Sequence, residues 1–545
     1  MKILLVYPKY PDTYWSFQYA LPFIGKRAVF PPLGLLTVAA MLPAHWEMRL
    51  IDLNIGSLSD SDLLWADYVF VSAMTVQRES TQEVLGRCRD LSVKTVAGGP
   101  LFTTCHDEFP EVNHLILGEA ENTLPQFLQD LEDNAPQRLY LPAGRPDISA
   151  TPLPRWSLID LRQYASMNIQ YSRGCPFDCE FCDITQLFGQ QPRTKTPGQV
   201  IAELEALYSR GWRGGVFFVD DNFIGDKPKL KEDVLPAMIA WMKERGHPFF
   251  FYTEASINLA DDPLLMELTV AAGFREVFIG IESPEENSLR ETGKVQNRNR
   301  DLVASVWRIQ RAGLQVQGGF IVGFDSDSPS IFDKQIDFIQ ESGIVTAMVG
   351  ILMVLRGTKL HARLSSEGRI IGSSNGNNTD TSLNYVPLMN PHALITGYQR
   401  LVRTIYSPDH FYARLLAFLK EYRLSGPSPF AMLQRRDIRA FFHSIFYLGI
   451  VGKERLHYWK IFFWSLLRKP RLLPLAITMT IYGFHFRTVA DQICSSAPGG
   501  LDEICQVDSG VAQPEQSQNY RPERSRTYEE LVDFTDNSAG DNYRV

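Results

Sequence analysis

The chain has 545 residues, a length that predicts three or four domains with ample surface to bury. Apolar residues make up 45% and charged residues 21%, which is typical of a soluble globular protein. The net charge of −8 argues against nucleic-acid binding, because domains that bind nucleic acid are usually basic. The first apolar run ends at Tyr7-Pro8, too early for a signal peptide, and no uncharged apolar stretch reaches the roughly 18 residues of a transmembrane helix. We therefore expect a cytoplasmic protein.

Residues 1–145 alternate short apolar runs with amphipathic stretches. The runs have the composition of buried parallel strands and cover residues 3–7, 48–53, 68–73, 94–98 and 114–118, with helices expected at 33–41, 80–89 and 121–133. This alternation predicts an α/β, flavodoxin-like (Rossmann-type) domain that binds its ligand at the carboxyl ends of its strands. The candidate binding residues at those ends are Ser72, Met74, Gly98, Gly99, Gly118 and Glu119. The glycines have a second interpretation, as residues of tight turns.

A second alternating series follows a proline-bearing linker and occupies residues 146–365. Strands are expected at residues 167–172, 216–220, 249–253, 277–282, 316–323 and 347–354. Helices are expected between them at 197–208, 229–244, 263–272, 300–312 and 330–342. Six such units predict a partial (β/α)6 barrel with its function at the carboxyl ends of the strands. The candidate residues at those ends are Asp220, Asp221, Asn222, Glu254, Ser256, Glu282 and Gly323.

The remaining sequence changes character twice. Residues 366–495 are expected to be mostly helical and aromatic, and residues 431–490 contain ten Lys or Arg against two Asp or Glu. These helices are either a cap packed on the barrel or a cover that also touches an anionic membrane. In the second interpretation residues 472–484, flanked by Arg471 and Arg487, are suited to lie in the membrane interface. Residues 496–545 contain ten acids and many polar residues, which predicts a disordered acidic tail.

Three of the seven cysteines form a C-x3-C-x2-C motif directly after the first barrel strand. Cys175, Cys179 and Cys182 are spaced to hold three irons of a [4Fe–4S] cluster and to leave the fourth iron open. A zinc site would require Asp178 or Asp183 as its fourth ligand, because no further Cys or His is near in sequence. Buried inert thiols are the third alternative.

The motif resembles the signature of the radical S-adenosylmethionine (SAM) enzymes, and Arg173-Gly174 before it is typical of the branch with an N-terminal cobalamin-binding domain. The resemblance covers about residues 1–360. It implies that the open iron binds SAM and that Asp220, Asp221 and Asn222 face its amino group. It also implies that Glu254 and Ser256 lie near the ribose and carboxylate of SAM. The remaining SAM-site residues implied are Phe181, Glu282 and Gly323.

The same resemblance implies that cobalamin binds to the N-terminal domain. Its loops would be residues 31–34, the segment from Ser72 to Met74, and residues 98–100. The Asp-x-His-x-x-Gly motif that supplies a histidine to cobalt is absent from these residues. The resemblance therefore implies cobalamin whose cobalt has no protein histidine on its lower face.

By resemblance to the hopanoid C-2 methylase branch, the chain is expected to be a cobalamin-dependent C-methyltransferase. The reaction implied uses a 5′-deoxyadenosyl radical and methylcobalamin to methylate an unactivated carbon of an apolar, lipid-like substrate. Two alternatives stay open: a radical cyclase or rearrangement enzyme of the tetrapyrrole-forming type, and a non-catalytic cobalamin- or redox-sensing protein. The implied partners are an electron donor such as flavodoxin or ferredoxin, an apolar small molecule and a membrane surface.

Overall fold

The N-terminal sheet is formed by six parallel strands in the order β2-β1-β3-β4-β5-β6. The computed structural model describes residues 1–424 and 434–495 of the chain. The six strands are β1 (Lys2–Tyr7), β2 (Glu47–Asp52), β3 (Tyr68–Ser72), β4 (Lys94–Gly98), β5 (His114–Ile116) and β6 (Leu139–Tyr140). The five expected strands and the doubly wound order are confirmed, and β6 is an addition of only two residues at the edge.

Helices cover both faces of this sheet because both faces are apolar. Alternate residues of β1 point to opposite sides, so that Leu4 and Val6 enter one hydrophobic core and Ile3 and Leu5 enter the other. The first core is completed by helices Asp60–Trp65, Arg78–Asp90 and Pro100–Cys105, and the second by Leu33–Met41 and Ala120–Glu132. A short helix, Leu21–Ile24, lies in the loop after β1.

The second sheet is parallel and has the strand order β14-β13-β12-β11-β10-β7. Its strands are β7 (Met167–Ile169), β10 (Gly214–Phe218), β11 (Phe249–Ala255), β12 (Phe274–Glu282), β13 (Gln315–Val322) and β14 (Thr346–Ile351). The connecting helices are Pro197–Ser209, Lys227–Lys229, Leu235–Glu244, Pro263–Ala272, Glu286–Glu291, Leu302–Ala312 and Ile331–Ser342, with a π-helical turn at Leu230–Val234. The six-unit partial barrel expected from the sequence is confirmed.

Both edges of this open barrel are covered by other parts of the chain. At the β14 edge the Tyr398 hydroxyl donates to the carbonyl oxygen of Val349 at 3.0 Å, and the Tyr406 hydroxyl donates to that of Ala347 at 2.6 Å. Beside β7, the amide of Ser166 donates to the carbonyl oxygen of Val29 at 2.9 Å. Main-chain groups that would be free at a sheet edge are thereby paired, and the N-terminal and C-terminal parts hold the barrel between them.

The C-terminal part is helical, as expected. Its helices are Lys359–Ser366, Pro391–Ile405, Pro408–Glu421, Arg435–Ser444, Arg455–Arg468 and Leu473–Ser495, with a π-helical segment at Ile445–Val451. The hypothesis that residues 472–484 lie in a membrane interface is wrong, because they belong to a core helix in which Ala476 and Met479 are fully buried. No helix within 1–424 and 434–495 is long and apolar enough to cross a membrane.

The described residues fall in one compact unit. Contacts alone therefore mark no boundary between the three folded parts, and the predicted limits at residues 145 and 365 stay predictions. The expected acidic tail, residues 496–545, lies outside the described residues.

A glycine in β4 gives a test of the packing between strands. A β-carbon on Gly98 would lie 2.8 Å from the carbonyl oxygen of Ile116 in β5, so Gly98→Ala forces two backbones apart. We expect it to lower the free energy of unfolding by about 1–3 kcal/mol in chemical denaturation. The control is Gly86→Ala in helix Arg78–Asp90, where a β-carbon meets no atom within 4 Å. This control should raise stability by about 0.5–1 kcal/mol, and equal effects of both changes would contradict the packing argument.

Candidate active site

The three motif cysteines lie on a loop that is closed at its base by a two-stranded ribbon. Strands β8 (Ser172–Arg173) and β9 (Arg193–Thr194) pair antiparallel, and the loop between them carries Cys175, Cys179 and Cys182. Gly174 has a φ of +95°, and a β-carbon there would lie 2.8 Å from the carbonyl oxygen of Gly189. The glycine before the first cysteine is therefore required by the close return of the loop.

Polar donors from outside the loop lie close to two of the three thiols. The side-chain amide of Asn222 lies 3.8 Å from Cys175 Sγ, and that of Gln296 lies 3.8 Å from Cys179 Sγ. Burial raises the pKa of all three thiols, while the positive charge of Lys294 acts against this rise. The surroundings thus contain what a buried anionic group of sulfur atoms needs, namely amide donors and one cation.

The paired aspartates after β10 hold the start of the cysteine loop. Asp220 accepts hydrogen bonds from the backbone amides of Tyr171 and Ser172 and, at 2.6 Å, from the Ser172 hydroxyl. Asp221 accepts from the amide of Gly174 at 3.1 Å. Burial raises the pKa of Asp220 to about 7 and that of Asp221 to about 6. Both carboxyl groups are therefore engaged with the loop that carries the cysteines.

The other predicted residues of the barrel end form linked contacts around this loop. Asn222 donates to the Ser256 hydroxyl at 3.2 Å, and Lys294 pairs with Glu282 at 2.6 Å. The ring of Phe181 lies 6.0 Å from that of Phe324. Gly323, with a φ of +104°, donates its amide to the Asp327 carboxylate at 2.9 Å. Asn222 and Ser256 thus form one hydrogen-bonded pair, and Glu282 and Lys294 form an ion pair.

A cavity of about 1130 Å³ lies between the carboxyl ends of the N-terminal strands and the interior of the barrel. Of the predicted residues, it is lined by Ser72, Met74, Gly99, Gly118, Glu119 and Glu254. It is not lined by Gly98, by the cysteines or by the other predicted residues of the barrel end, namely Phe181, Asp220, Asp221, Asn222, Ser256, Glu282 and Gly323. Its volume exceeds the roughly 300–1,000 Å³ of ordinary small-molecule pockets. Its barrel side is aromatic, with Trp15 packed 5.1 Å from Phe278 and Phe30 packed 5.2 Å from Phe217.

Four buried charges join the N-terminal strand ends to the base of the cysteine loop. Arg173 pairs with Glu119 at 2.7 Å and with Glu121 at 2.8 Å, and Arg193 pairs with Glu119 at 2.7 Å. Burial alone would raise the pKa of Glu121, but the hydrogen bond and positive charge of Arg173 hold this pKa below its usual range. We call these four residues the junction cluster. Glu119, predicted to bind a cofactor, is thus already paired with two arginines.

Sequence reasoning missed Lys294, Gln296 and Arg193 as residues of the site. Lys294 contacts Glu282 twelve positions earlier and Gln296 contacts Cys179 from 117 positions away, so no local spacing marks either residue. Arg193 ends the cysteine loop, and only the ribbon that closes this loop brings it to Glu119.

Three family models match consecutive parts of the chain. The B12 binding domain matches residues 27–128, the radical SAM superfamily matches residues 169–339, and a domain of unknown function, DUF4070, matches residues 358–497. An uncharacterized methyltransferase of Synechocystis sp. is 38% identical over 89% of this chain and 91% of its own length. The hopanoid C-2 methylase of Rhodopseudomonas palustris is 35% identical over 86% of this chain and 90% of its own length. The chain belongs to the cobalamin-dependent radical SAM methyltransferases.

Solved structures share the fold of this methyltransferase. The cobalamin-dependent radical SAM enzyme OxsB superposes with a TM-score of 0.57 and 14% identity, covering 92% of this chain and 81% of its own. The methyltransferase TsrM of Kitasatospora setae superposes with a TM-score of 0.54 and 15% identity, covering 69% and 76%. The cofactors of this methyltransferase are a [4Fe–4S] cluster, SAM and cobalamin. The family assignment favours methyl transfer over the cyclase and sensor alternatives.

The residues present fit these cofactors. The cysteine loop offers three free thiols, amide donors and a cation to an iron–sulfur cluster. Among residues 1–424 and 434–495, no three Cys, His, Asp or Glu side chains converge on a single point, so a one-ion site is not formed. A cubane binds each thiolate at a different iron and needs no such convergence. The cavity offers cobalamin a large space at the strand ends, and none of its described lining residues is a histidine.

Glu254 gives this methyltransferase a pH dependence that can be measured without cofactors. Burial, followed by the nearby Asp221, Asp220 and Glu282, raises its pKa from 4.5 to about 8. The folded chain then binds a proton that the unfolded chain has lost, so this contribution to stability is complete below about pH 4.5 and is lost as pH rises through about 8. We expect Glu254→Gln to flatten the fall in melting temperature of the cofactor-free chain between these pH values.

The control for this experiment is Glu83→Gln, an exposed glutamate on helix Arg78–Asp90. It should leave the pH profile unchanged. If Glu254→Gln kept the full fall in melting temperature with pH, burial of the Glu254 carboxyl group would not be the cause of that fall.

Proposed function

We propose that this methyltransferase methylates an unactivated carbon of an apolar, lipid-like substrate. The observation that carries the proposal is the aromatic half of the cavity, where Trp15, Phe30, Phe217 and Phe278 face the space beyond the N-terminal strand ends. An apolar molecule gains binding energy from such a surface, and it presents no acidic group that a base would activate. Radical chemistry suits a carbon of this kind, and the similarity to the hopanoid C-2 methylase supports a lipid-like substrate.

In this proposal the cofactors are bound at two places in the fold. Cys175, Cys179 and Cys182 ligate the cluster. SAM is held at the barrel end by Phe181, Asp220, Asp221, Asn222, Glu254, Ser256, Glu282 and Gly323. Cobalamin is held along Ser72, Met74, Gly98, Gly99, Gly118 and Glu119. When bound, these cofactors supply the reductive cleavage of SAM and the methyl group that the substrate receives.

The protein's own contribution is to position these groups and to exclude water. Lys294 keeps a positive charge beside the thiolates, because the Glu282 carboxylate and the thiolates raise its pKa although burial alone lowers it. Asp220 and Asp221 fix the backbone of the loop through its amides. The aromatic wall keeps the reacting carbon in an apolar space, where a reactive intermediate meets no solvent.

The proposed partners are a one-electron donor such as flavodoxin or ferredoxin and a membrane surface touched peripherally. A donor is needed because the chain supplies no electron of its own for the cleavage of SAM. A lipid-like substrate has almost no free concentration in water, which supports delivery from a membrane. The free thiols within the described residues are in keeping with a cytoplasmic location.

The function is tested by anaerobic turnover of the reconstituted full chain with SAM carrying a deuterated methyl group and a lipid extract. We expect a lipid whose mass rises by one deuterated methyl group in place of one hydrogen. The triple variant Cys175→Ala, Cys179→Ala, Cys182→Ala should lose both the cluster's absorbance and this product. Cys88→Ala, at a buried cysteine of the N-terminal core, is the control that should keep both. A changed lipid without the label, or a triple variant that keeps its cluster, would contradict the proposal.

No histidine is among the described residues that line the cavity, which predicts that cobalt has no histidine ligand. His45 is exposed, and His114 lies in the core with its Nδ1 2.6 Å from the carbonyl oxygen of Gln137. We therefore expect the electron paramagnetic resonance spectrum of the Co(II) enzyme to lack superhyperfine splitting from an axial nitrogen. The third histidine of this part of the chain, His106, directly follows helix Pro100–Cys105. Such a splitting in the unmodified enzyme would overturn this prediction, and its loss in His106→Ala would identify His106 as the ligand.

A further inference from the structure

The C-terminal helices expose an unusual number of large apolar side chains on one part of the surface. Ten large apolar side chains between Arg435 and Arg468 are 42–79% exposed. Four of them, on helix Arg435–Ser444 and the π-helical segment Ile445–Val451, recur every four positions. We call the complete set the outer face, and it comprises Ile438, Phe442, Phe446, Tyr447, Ile450, Val451, Leu456, Phe463, Leu466 and Leu467. Large apolar side chains exposed in such number on neighbouring helices favour a surface that meets another apolar phase.

The outer face belongs to well-packed helices. On their inner side Ala440, Leu448 and Tyr458 are buried in a core shared with Phe23 and Ile481. The Ser444 hydroxyl lies 2.9 Å from that of Tyr458 and ties the two helices together. The helices therefore have an inner apolar side, which packs in this core, and an outer apolar side, which is exposed. A role as a helical cap explains only the inner side.

Cations surround the outer face. Arg435, Arg439, Lys453, Arg455, Lys460 and Arg468 are exposed, and none of them forms an ion pair with a residue of the described ranges. The acids of this segment are Asp437 and Glu454, and Glu454 is buried against Arg487 at 2.5 Å. This positive surface occurs on a chain whose net charge is −8. An anionic partner is therefore favoured at this place.

The outer face is separated from the cavity by the short helix Leu21–Ile24. Leu21 and Pro22 line the cavity, whereas Phe23 on the same turn packs 5.7 Å from the ring of Tyr447. The Arg439 guanidinium lies against Gly25 at the end of this helix. One helical turn thus has the cavity on one side and the base of the outer face on the other.

We propose that the outer face lies on an anionic membrane surface, with its apolar side chains inserted among the lipids and its cations at the headgroups. Exposed apolar residues bordered by Lys and Arg are the composition of helices that rest in a membrane interface. A second copy of the chain is a poorer occupant, because pairing two outer faces would bring their cations together. Contact with a membrane would place the cavity one helical turn from a supply of lipid-like substrate, and to this extent the inference rests on the proposed function.

The test is binding of the reconstituted full chain to vesicles, which requires no turnover and therefore fails independently of the proposed function. The vesicles are phosphatidylcholine with or without phosphatidylglycerol, at low and high salt. We expect binding to the anionic vesicles that weakens with salt. The variant Phe442→Ser, Leu456→Ser, Leu467→Ser should bind at least tenfold more weakly. The reversals Lys453→Glu and Lys460→Glu should each cost about fivefold or more.

The matched control is Leu64→Ser, Leu264→Ser, Leu388→Ser, three leucines that are 54–68% exposed outside the outer face. It should bind as the unmodified chain does. Both triple variants should keep the circular dichroism spectrum and the cluster absorbance of the unmodified chain, which shows that they are folded. Equal binding by the two variants, or no binding by the unmodified chain, would overturn the proposal.

Two further outcomes would assign the outer face to another occupant and would also overturn the proposal. The first is self-association of the unmodified chain in sedimentation that the outer-face variant abolishes, without vesicle binding. The second is carbodiimide crosslinking of Lys453 or Lys460 to an acid of residues 496–545, again without vesicle binding.

Discussion

The junction cluster is the constraint on which the relation between the two cofactor regions depends. Burying Glu119, Glu121, Arg173 and Arg193 removes four charges from water, and this is tolerated only because each guanidinium meets carboxylate oxygens at 2.7–3.1 Å. Displacing the cysteine loop from the N-terminal strand ends would leave a buried charge unpaired, which typically costs about 3–5 kcal/mol. The cluster therefore fixes the loop and the cavity wall to each other.

The acids beyond this junction divide into two kinds according to their partners. Asp220 and Asp221 accept hydrogen bonds from backbone amides and the Ser172 hydroxyl at the start of the cysteine loop, so their role in the fold is to shape this loop. Glu254 lines the cavity, and its raised pKa reflects the absence of such compensation. Because Lys294 is paired with Glu282, its charge is only partly available to the thiols. The two aspartates are thus tied to the cysteine loop, whereas Glu254 belongs to the cavity wall.

The sequence was sufficient for elements whose signal is local and insufficient for those defined by distant partners. The run that became β1 is apolar from Ile3 to Tyr7 and short, which is typical of a buried parallel strand. Strand β6 has two residues and no pattern to detect. The cysteine spacing identified the loop, but Lys294 and Arg193 reach it only through the folded barrel. For residues 472–484 the sequence left a packed cap and a membrane-facing cover both open, because apolar composition does not tell whether a neighbouring helix or a lipid covers a segment.

The cavity of this methyltransferase has to meet two conflicting requirements. The proposed reaction needs a cavity that is closed to water, whereas an apolar substrate needs an apolar path by which to enter that cavity. The barrel edges cannot provide this path, because β14 is sealed by Tyr398 and Tyr406 and residues 28–29 cover the β7 side. Helix Leu21–Ile24 is only one turn long, and Gly25 ends it in a left-handed conformation. Its Leu21 and Pro22 line the cavity and its Phe23 packs on Tyr447, so this single turn is the part of the wall that meets both the cavity and the outer face.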